Sequence, residues 1–519
     1  MNILAPMQPS PTFERFLDEV EREVEVSESQ DAAARKSYKS VGEWLDRPAS
    51  ELRPYLPWVY AQGSFRLGTA IKPIGDGEYD VDAVCELRAM SKADRSQRDL
   101  KAMLGREIEA YAVARQMSKE PTERTRCWTL HYADDAKFHL DVTPCVPNLE
   151  QRALLRAIGV PSDWTDTAVS ITDKGHPNYA TVSADWPRSN PRAYADWFTH
   201  RMGQVFLRRR AEVAKSTRAQ VDEIPVHRVR TPLQSAIKLL KRHRDVMFSG
   251  DPEDAPISIV ITTLSAHAYR QEETTGRALA GILTRMEEGI GYSNGRWSIP
   301  NPTDPGENFA DRWNPSESNP APKKHEAFKD WLEAARRDFL ALASSTDRAA
   351  MAEVMARAVG NVPIQAILDR HPAVAGHGVL ARVRQFGRSV VEHANHRRRP
   401  TWPPRPLGQV SISSATFSRA GFRPTPIGSD GPALPKSGSL RFEARTNVST
   451  PYKIYWQIVN TGFDAERANC LRGRFETLEN GNLTKVESTL YSGTHSIECF
   501  IVKGGYLAAR SGPFIVNID

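Results

Sequence analysis

The chain has 519 residues, 69 lysines and arginines against 63 acidic residues, and a mean hydropathy of -0.49. That length exceeds one ordinary core and points to about two to four domains, and no run is apolar for long enough to form a membrane-spanning helix. The net charge of +6 is compatible with polyanion binding, but triphosphate substrates alone would account for it. Five cysteines without CxxC spacing, and an N-terminal stretch with no basic segment leading into a sustained apolar core, predict reduced thiols in a cytoplasmic protein.

Phe13, Phe16, Leu17, Val20 and Val24 recur at helical spacing and predict an amphipathic helix over 13–25, packed on a sheet. Val59 and Tyr60 then end an apolar run that Gly63-Ser64 breaks. The residues to Thr69 suit a short helix, whose start gathers backbone N–H groups and a hydroxyl in the manner of a phosphate site. After a Gly75-Asp76-Gly77 turn, Tyr79 to Cys85 alternates as a strand, with Asp80 and Asp82 on one face and Val81 and Ala83 on the other. Two carboxylates on one strand face are a ready oxygen ligand set for Mg²⁺. Lys92 to Gln116 predicts a helix backing the sheet. Two strands follow, 126–132 and 136–144, joined at Asp134-Asp135; the second puts His139 and Asp141 on one face and Leu140 and Val142 on the other.

Residues 145–230 mix loops and short helices, with a capped helix start at Ser189-Asn190-Pro191. Arg208, Arg209 and Arg210 read as a solvated helix face, with nucleic-acid contact as the alternative. Thr231 to Phe248 predicts a helix with Leu233, Ile237 and Leu240 on one side and Lys238, Lys241 and Arg242 on another. Lys323 to Gly360 is helical by periodicity. The basic, proline-rich run 396–406 then reads as an extended linker. From Gln409 the alternation in 439–445, 453–459, 494–502 and 514–518 predicts an all-β module, most simply a sandwich.

Gly63-Ser64, Asp80-Val81-Asp82 and Asp141 together resemble the signature of the polymerase-β-type nucleotidyltransferases, and more narrowly the bacterial cGAS/DncV-like enzymes that make nucleotide second messengers. The run Ser189-Asn190-Pro191 to Trp197-Phe198 and the segments Pro300-Asn301-Pro302 and Glu307 to Trp313 are similar to stretches recurring in those enzymes. The tail, with YWQIVNTGFDAERANCLRGRFE and the ending GPFIVNI, resembles the AGS-C domain, a module proposed to sense nucleotides; Trp456, Asn460, Arg472, Tyr491 and His495 are its plausible pocket residues.

The resemblance implies an α+β fold: a polymerase-β-like core with a helical second lobe, then a small all-β domain. The expected division is 1–228 for the catalytic lobe, 229–395 for the helical lobe, 396–408 for the linker and 409–519 for the β domain. It further implies Asp80, Asp82 and Asp141 as catalytic ligands of two Mg²⁺ ions, with Mn²⁺ able to substitute. Gln62, Gly63, Ser64, Lys241 and Ser258 would bind the nucleoside triphosphate, with Lys238 a second lysine candidate. The expected activity is pyrophosphate-releasing transfer that makes a cyclic or short linear oligonucleotide, ATP among its substrates. That product would act on a separate effector protein in anti-phage defence. The alternatives are self-primed or template-independent linear synthesis, including growth from Asp519, or transfer to tRNA or protein, with RNA then a partner. A third is a nucleotide-binding sensor without catalysis.

Overall fold

The computed structural model describes residues 8–74, 78–132, 138–217, 229–249, 252–316, 319–320, 322–370, 391, 394, 396–419, 421, 423–461, 465, 468, 470–477 and 482–518. The expected turn at Gly75-Asp76-Gly77, the Asp134-Asp135 connection and Asp519 lie outside them. Two compact units emerge: Met1–Lys72, Glu78–Arg244 and Glu253–Thr346 form the first, and Pro73–Gly77, Asp245–Pro252 and Asp347–Asp519 the second.

The first unit opens with helices α1 (Pro11–Val24) and α2 (Glu28–Leu45), then strand β1 (Pro57–Ala61), helix α3 (Gly63–Leu67), strand β2 (Tyr79–Leu87) and helix α4 (Gln97–Ala114). Strands β3 (Thr122–Glu123), β4 (Trp128–Tyr132) and β5 (Phe138–Pro147), helices α5 (Leu149–Ala157) and α6 (Ser162–Thr165), and strands β6 (Val169–Ile171) and β7 (Arg188–Ser189) complete the sheet region. The order across the sheet is β1-β2-β5-β4-β3, with β6 joining β5 to β7. β2 and β5 run parallel, and β1 and β4 flank them antiparallel. Alternation sends Val81, Ala83, Cys85, Leu130, Leu140 and Val142 into the main core, where Ala34, Val41 and Leu45 of α2 and Leu100, Leu104 and Ile108 of α4 cover them. The aspartates therefore stand on the opposite face.

Helices α7 (Pro191–Thr217), α8 (Pro232–Met247), α9 (Ser258–Ala268) and α10 (Thr275–Arg285) follow, then the small strand pairs β8 (Gly291–Ser293) with β9 (Arg296–Ser298) and β10 (Pro300–Asn301) with β11 (Asp304–Asn308), and helix α11 (Lys324–Leu340). α7 starts at the expected proline and bends at Gly203, whose φ of 50° and ψ of -132° leave helical space.

Two expectations are corrected here. α1 buries the predicted face but does not pack on the sheet. Its Glu14 accepts from Thr274 Oγ1 (2.5 Å) and the Gly276 N–H (2.7 Å) at the start of α10. Its Glu21, with Glu25 just beyond, receives Lys238 of α8 at 2.6 and 2.8 Å. The sheet was already covered by α2 and α4, so α1 found its complement in the helical region. For the same reason α8 is not a two-sided helix: every residue from Pro232 to His243 is buried, lysines included. Lys238 is an internal ion-pair member and not a phosphate ligand candidate.

The second unit contains α12 (Arg348–Val359) and α13 (Asn361–Arg370). The helical run expected over 323–360 is thus interrupted, and Asp347 caps the later part by accepting from the Ala349 and Ala350 N–H groups. The tail is a two-sheet sandwich. One sheet has the order β13-β12-β14-β17, from β12 (Val410–Ser418), β13 (Thr425–Pro426), β14 (Ser439–Thr446) and β17 (Thr484–Ser488). The other runs β16-β15-β18-β19, from β15 (Lys453–Val459), β16 (Phe475–Thr477), β18 (Gly493–Lys503) and β19 (Tyr506–Arg510), with β20 (Phe514–Ile518) also on β18. Phe442, Trp456, Ile497, Cys499 and Ile501 fill the space between. The 396–408 segment is extended as expected but is fastened to this module rather than spanning freely: Arg405 and Leu407 N–H groups donate to Leu507 and Ala508 carbonyls at 2.9 Å, and Trp402 packs on Tyr455 and Phe475.

Removing Lys238 leaves two acidic groups facing each other in a buried setting. We expect Lys238→Met to lower unfolding free energy by about 3–5 kcal/mol in urea denaturation. Arg208→Ala, at an exposed pair, should change it by less than about 1 kcal/mol.

Candidate active site

Strand register builds the site. Asp82 of β2 lies directly opposite Asp141 of β5, and Asp80 opposite His139. On the other side of β5, Thr129 of β4 lies opposite Asp141 and His131 opposite His139. On the face opposite the main core, one row therefore reads Thr129, Asp141, Asp82, and the next His131, His139, Asp80. The Gln62 N–H donates to the Asp82 carbonyl at 2.9 Å, which brings the start of α3 over this row. Gly63 follows with φ +61°, and a Cβ there would lie 2.3 Å from Asp82 Oδ2. Only glycine meets both demands without strain. Ser64 comes next, half-buried, in the first turn of α3.

The exit of α3 is held by α8. Gln234 Nε2 donates to the Leu67 carbonyl (2.9 Å), Lys241 Nζ to that of Thr69 (2.9 Å) and Arg242 Nη2 to that of Lys72 (2.6 Å). Lys241 is thereby placed near the aspartates, where its charge opposes the rise in the Asp82 pKa. Ser258 opens α9, where its Oγ accepts from Arg244 Nη2 at 3.2 Å.

The electrostatics centre on Asp82. Burial first, then the neighbouring Asp80 and Asp141 carboxylates, push its pKa up to about 7, while Lys241 and His139 pull against them. Asp80 is ion-paired with His139 Nε2. The His139 Nδ1 lies 3.6 Å from Glu78 Oε2, and Glu78 also faces His131 (3.6 Å) and Lys119 (3.0 Å). The hydrogen bond to Asp80 is the main cause of a raised His139 pKa. Asp141 Oδ1 accepts the Thr129 hydroxyl at 2.6 Å.

No three metal-ligating side chains form a finished cluster among the described residues. The reason is visible: Asp80 is turned onto His139, and Asp141 has one oxygen engaged by Thr129. The donor set nevertheless fits a divalent cation, because Asp82 is an acceptor-only group held beside two like charges, the imbalance that an oxygen-seeking cation relieves.

Sequence reasoning did not find Thr129, Glu78, Gln234 or Arg242. Alternation along Cys127, Thr129 and His131 was the available signal for Thr129. Elsewhere, Arg208 and Arg209 form exposed pairs with Glu273 (3.2 Å) and Glu212 (3.7 Å), and Arg397 donates to Glu498 at 3.0 Å. In the β domain, Asn460, Arg472, Tyr491 and His495 line one cavity of about 90 Å³, whereas Trp456 is not in its wall and is fully buried in the core.

Two outcomes follow from the geometry. Gly63→Ala should cost about 1–3 kcal/mol of stability in denaturant titration, since the new methyl meets Asp82 in a backbone conformation it disfavours. In chelator, Asp82→Asn should raise the melting temperature at pH 8. A carboxyl whose folded pKa is raised to about 7 costs stability progressively as pH rises from the ordinary carboxylate range and in full above about pH 7, so this advantage should shrink as pH falls back toward that range.

Residues 57–144 match the family described as "Cyclic GMP-AMP synthase DncV-like, nucleotidyltransferase domain", and residues 392–519 match the "Adenylyl/Guanylyl and SMODS C-terminal sensor domain". A c-di-GMP synthase of Roseivirga ehrenbergii is 27% identical over 304 residues, covering 58% of this chain and 73% of that protein. The cyclic dinucleotide synthase CdnG of Bradyrhizobium diazoefficiens is 27% identical over 312 residues, covering 54% of this chain and 65% of its own length. A structure of the latter CD-NTase in complex with GTP overlays with a TM-score of 0.52 at 20% identity, over 70% of this chain and 100% of that one, a likeness of fold. The chain carries a DncV-like nucleotidyltransferase domain and a C-terminal AGS-C domain, and is a nucleotidyltransferase enzyme.

Proposed function

We propose that this enzyme joins two nucleoside triphosphates into a cyclic dinucleotide, releasing two pyrophosphates. The observation that carries the reading is the Asp82–Asp141 pair, with Asp80 beside it, lying under a glycine whose missing side chain leaves room at Asp82. The synthases named among its relatives support the cyclic product.

Asp80, Asp82 and Asp141 would hold Mg²⁺, for which Mn²⁺ could substitute; when bound it would neutralise triphosphate charge and ease ionisation of the acceptor hydroxyl. The chain's own contribution is positioning and charge. The Gly63 and Ser64 N–H groups and the Ser64 hydroxyl face the outgoing phosphates. Lys241 exchanges its contact with the Thr69 carbonyl for the departing pyrophosphate, and Ser258 assists from α9. Asp141 accepts the acceptor-hydroxyl proton as that oxygen bonds to the α-phosphorus and the bond to the β,γ-phosphates breaks. A second transfer in the same site closes the ring. The product acts as a signal for a separate effector protein, in line with the anti-phage role that the family resemblance implies.

Purified protein with each nucleotide mixture and Mg²⁺ should release pyrophosphate and yield one phosphatase-resistant species whose mass equals two nucleotide monophosphate residues. An Asp80→Ala, Asp82→Ala double variant should lose at least about 1,000-fold of the rate, because the transition state is stabilised mostly by electrostatics. A ladder of linear oligomers would replace the cyclic reading, and pyrophosphate release by the double variant would overturn the site.

A further inference from the structure

Asp141 stands on β5, the central strand of the order β1-β2-β5-β4-β3, and a neighbour on the adjoining strand β4 restrains it. We propose that Thr129 is a positioning residue, whose buried hydroxyl fixes the Asp141 carboxylate so that its other oxygen is presented to the cation shared with Asp82. This inference rests on the reading of the three aspartates as metal ligands.

Thr129 is fully buried, and its Oγ1 lies 2.6 Å from Asp141 Oδ1. A hydroxyl is the donor in this pair, since the ionised carboxylate only accepts, and an O–H···O⁻ contact of this length is of the strong, charge-assisted kind. Valine has the same shape, suits a strand at least as well and carries no polar atom to desolvate. A threonine here therefore has its hydroxyl accounted for by donation to Asp141, with the Cys127 thiol hydrogen-bonding to both groups. The register sets the direction of the restraint: Thr129, Asp141 and Asp82 are directly opposed on three adjacent strands, so Asp141 is held from the β4 side and faces Asp82 on the other. Without that restraint the carboxylate is left with the weaker thiol contact of Cys127 beside two like-charged neighbours, which repel it.

The test uses the full chain as parent, Thr129→Val and Thr129→Ser. Mn²⁺ binding is followed by electron paramagnetic resonance in the presence of each α,β-methylene nucleoside triphosphate, alongside steady-state pyrophosphate release and thermal unfolding. Loss of an outer partner to a metal ligand should weaken Mn²⁺ binding about 10-fold and lower kcat about 10–100-fold in the valine variant, with KM for nucleotide within about threefold. The serine variant should recover both within about threefold of the parent. Parental Mn²⁺ affinity and kcat in Thr129→Val would overturn the role of Thr129. So would equal losses in Thr129→Val and Thr129→Ser together with a lowered melting temperature, which would make the residue a packing element. A parent chain that binds no Mn²⁺ with any nucleotide would instead overturn the metal reading beneath the proposal.

Discussion

Like charge held at close quarters is the constraint around which the catalytic unit is arranged. Asp82 and Asp141 face each other on parallel strands, Asp80 stands one alternation away, and the effect is registered in a carboxyl group pushed toward neutrality. Local preference would separate such groups. What keeps them together is the opposite face of the same strands, where Val81, Ala83, Leu140 and Val142 are locked into the core by α2 and α4. Because side chains alternate with period two, burying those residues obliges the aspartates to converge. Apolar burial on one side of the sheet thus does the electrostatic work of the other.

The surroundings moderate this repulsion without cancelling it. His139 attends Asp80, Thr129 attends Asp141, and Lys241 contributes positive charge from the helical side. The contacts of α8 with the carbonyls of Leu67, Thr69 and Lys72, at and after the end of α3, add mechanical coupling. The turn carrying Gly63 and Ser64 is tied to the same helix that supplies Lys241, so the turn and the lysine keep a common frame. α1 steadies α8 from behind through Glu21 and Glu25.

Much of this was legible from residue order alone. Alternation placed the three aspartates on one face, and Gly63-Ser64 marked the break between strand and helix. The sandwich was readable because its strands alternate cleanly. What stayed hidden depends on pairing between distant segments. Lys238 read as a second lysine for the triphosphate, since nothing local shows that its partners lie more than 200 positions earlier. The apolar face of α1 was evident, but amphipathicity names a face and not the surface it meets. α2 escaped notice because its inward positions include small residues such as Ala34 among serines and lysines. Thr129 could be identified only once the β4–β5 register was known.

The proline-rich segment before the β domain has a consequence for how that domain meets other chains. β19 is the last strand on its side of the sheet, and an open strand edge invites pairing with any extended peptide. Here Pro403 to Leu407 lies along it, with the Arg405 and Leu407 N–H groups turned inward to β19. The alternate positions are Pro404 and Pro406, which carry no N–H to present outward. The sheet therefore ends in a selvedge: a finished border whose outer side lacks the donors needed to continue the weave, so that the sandwich resists growing into its neighbours by strand addition.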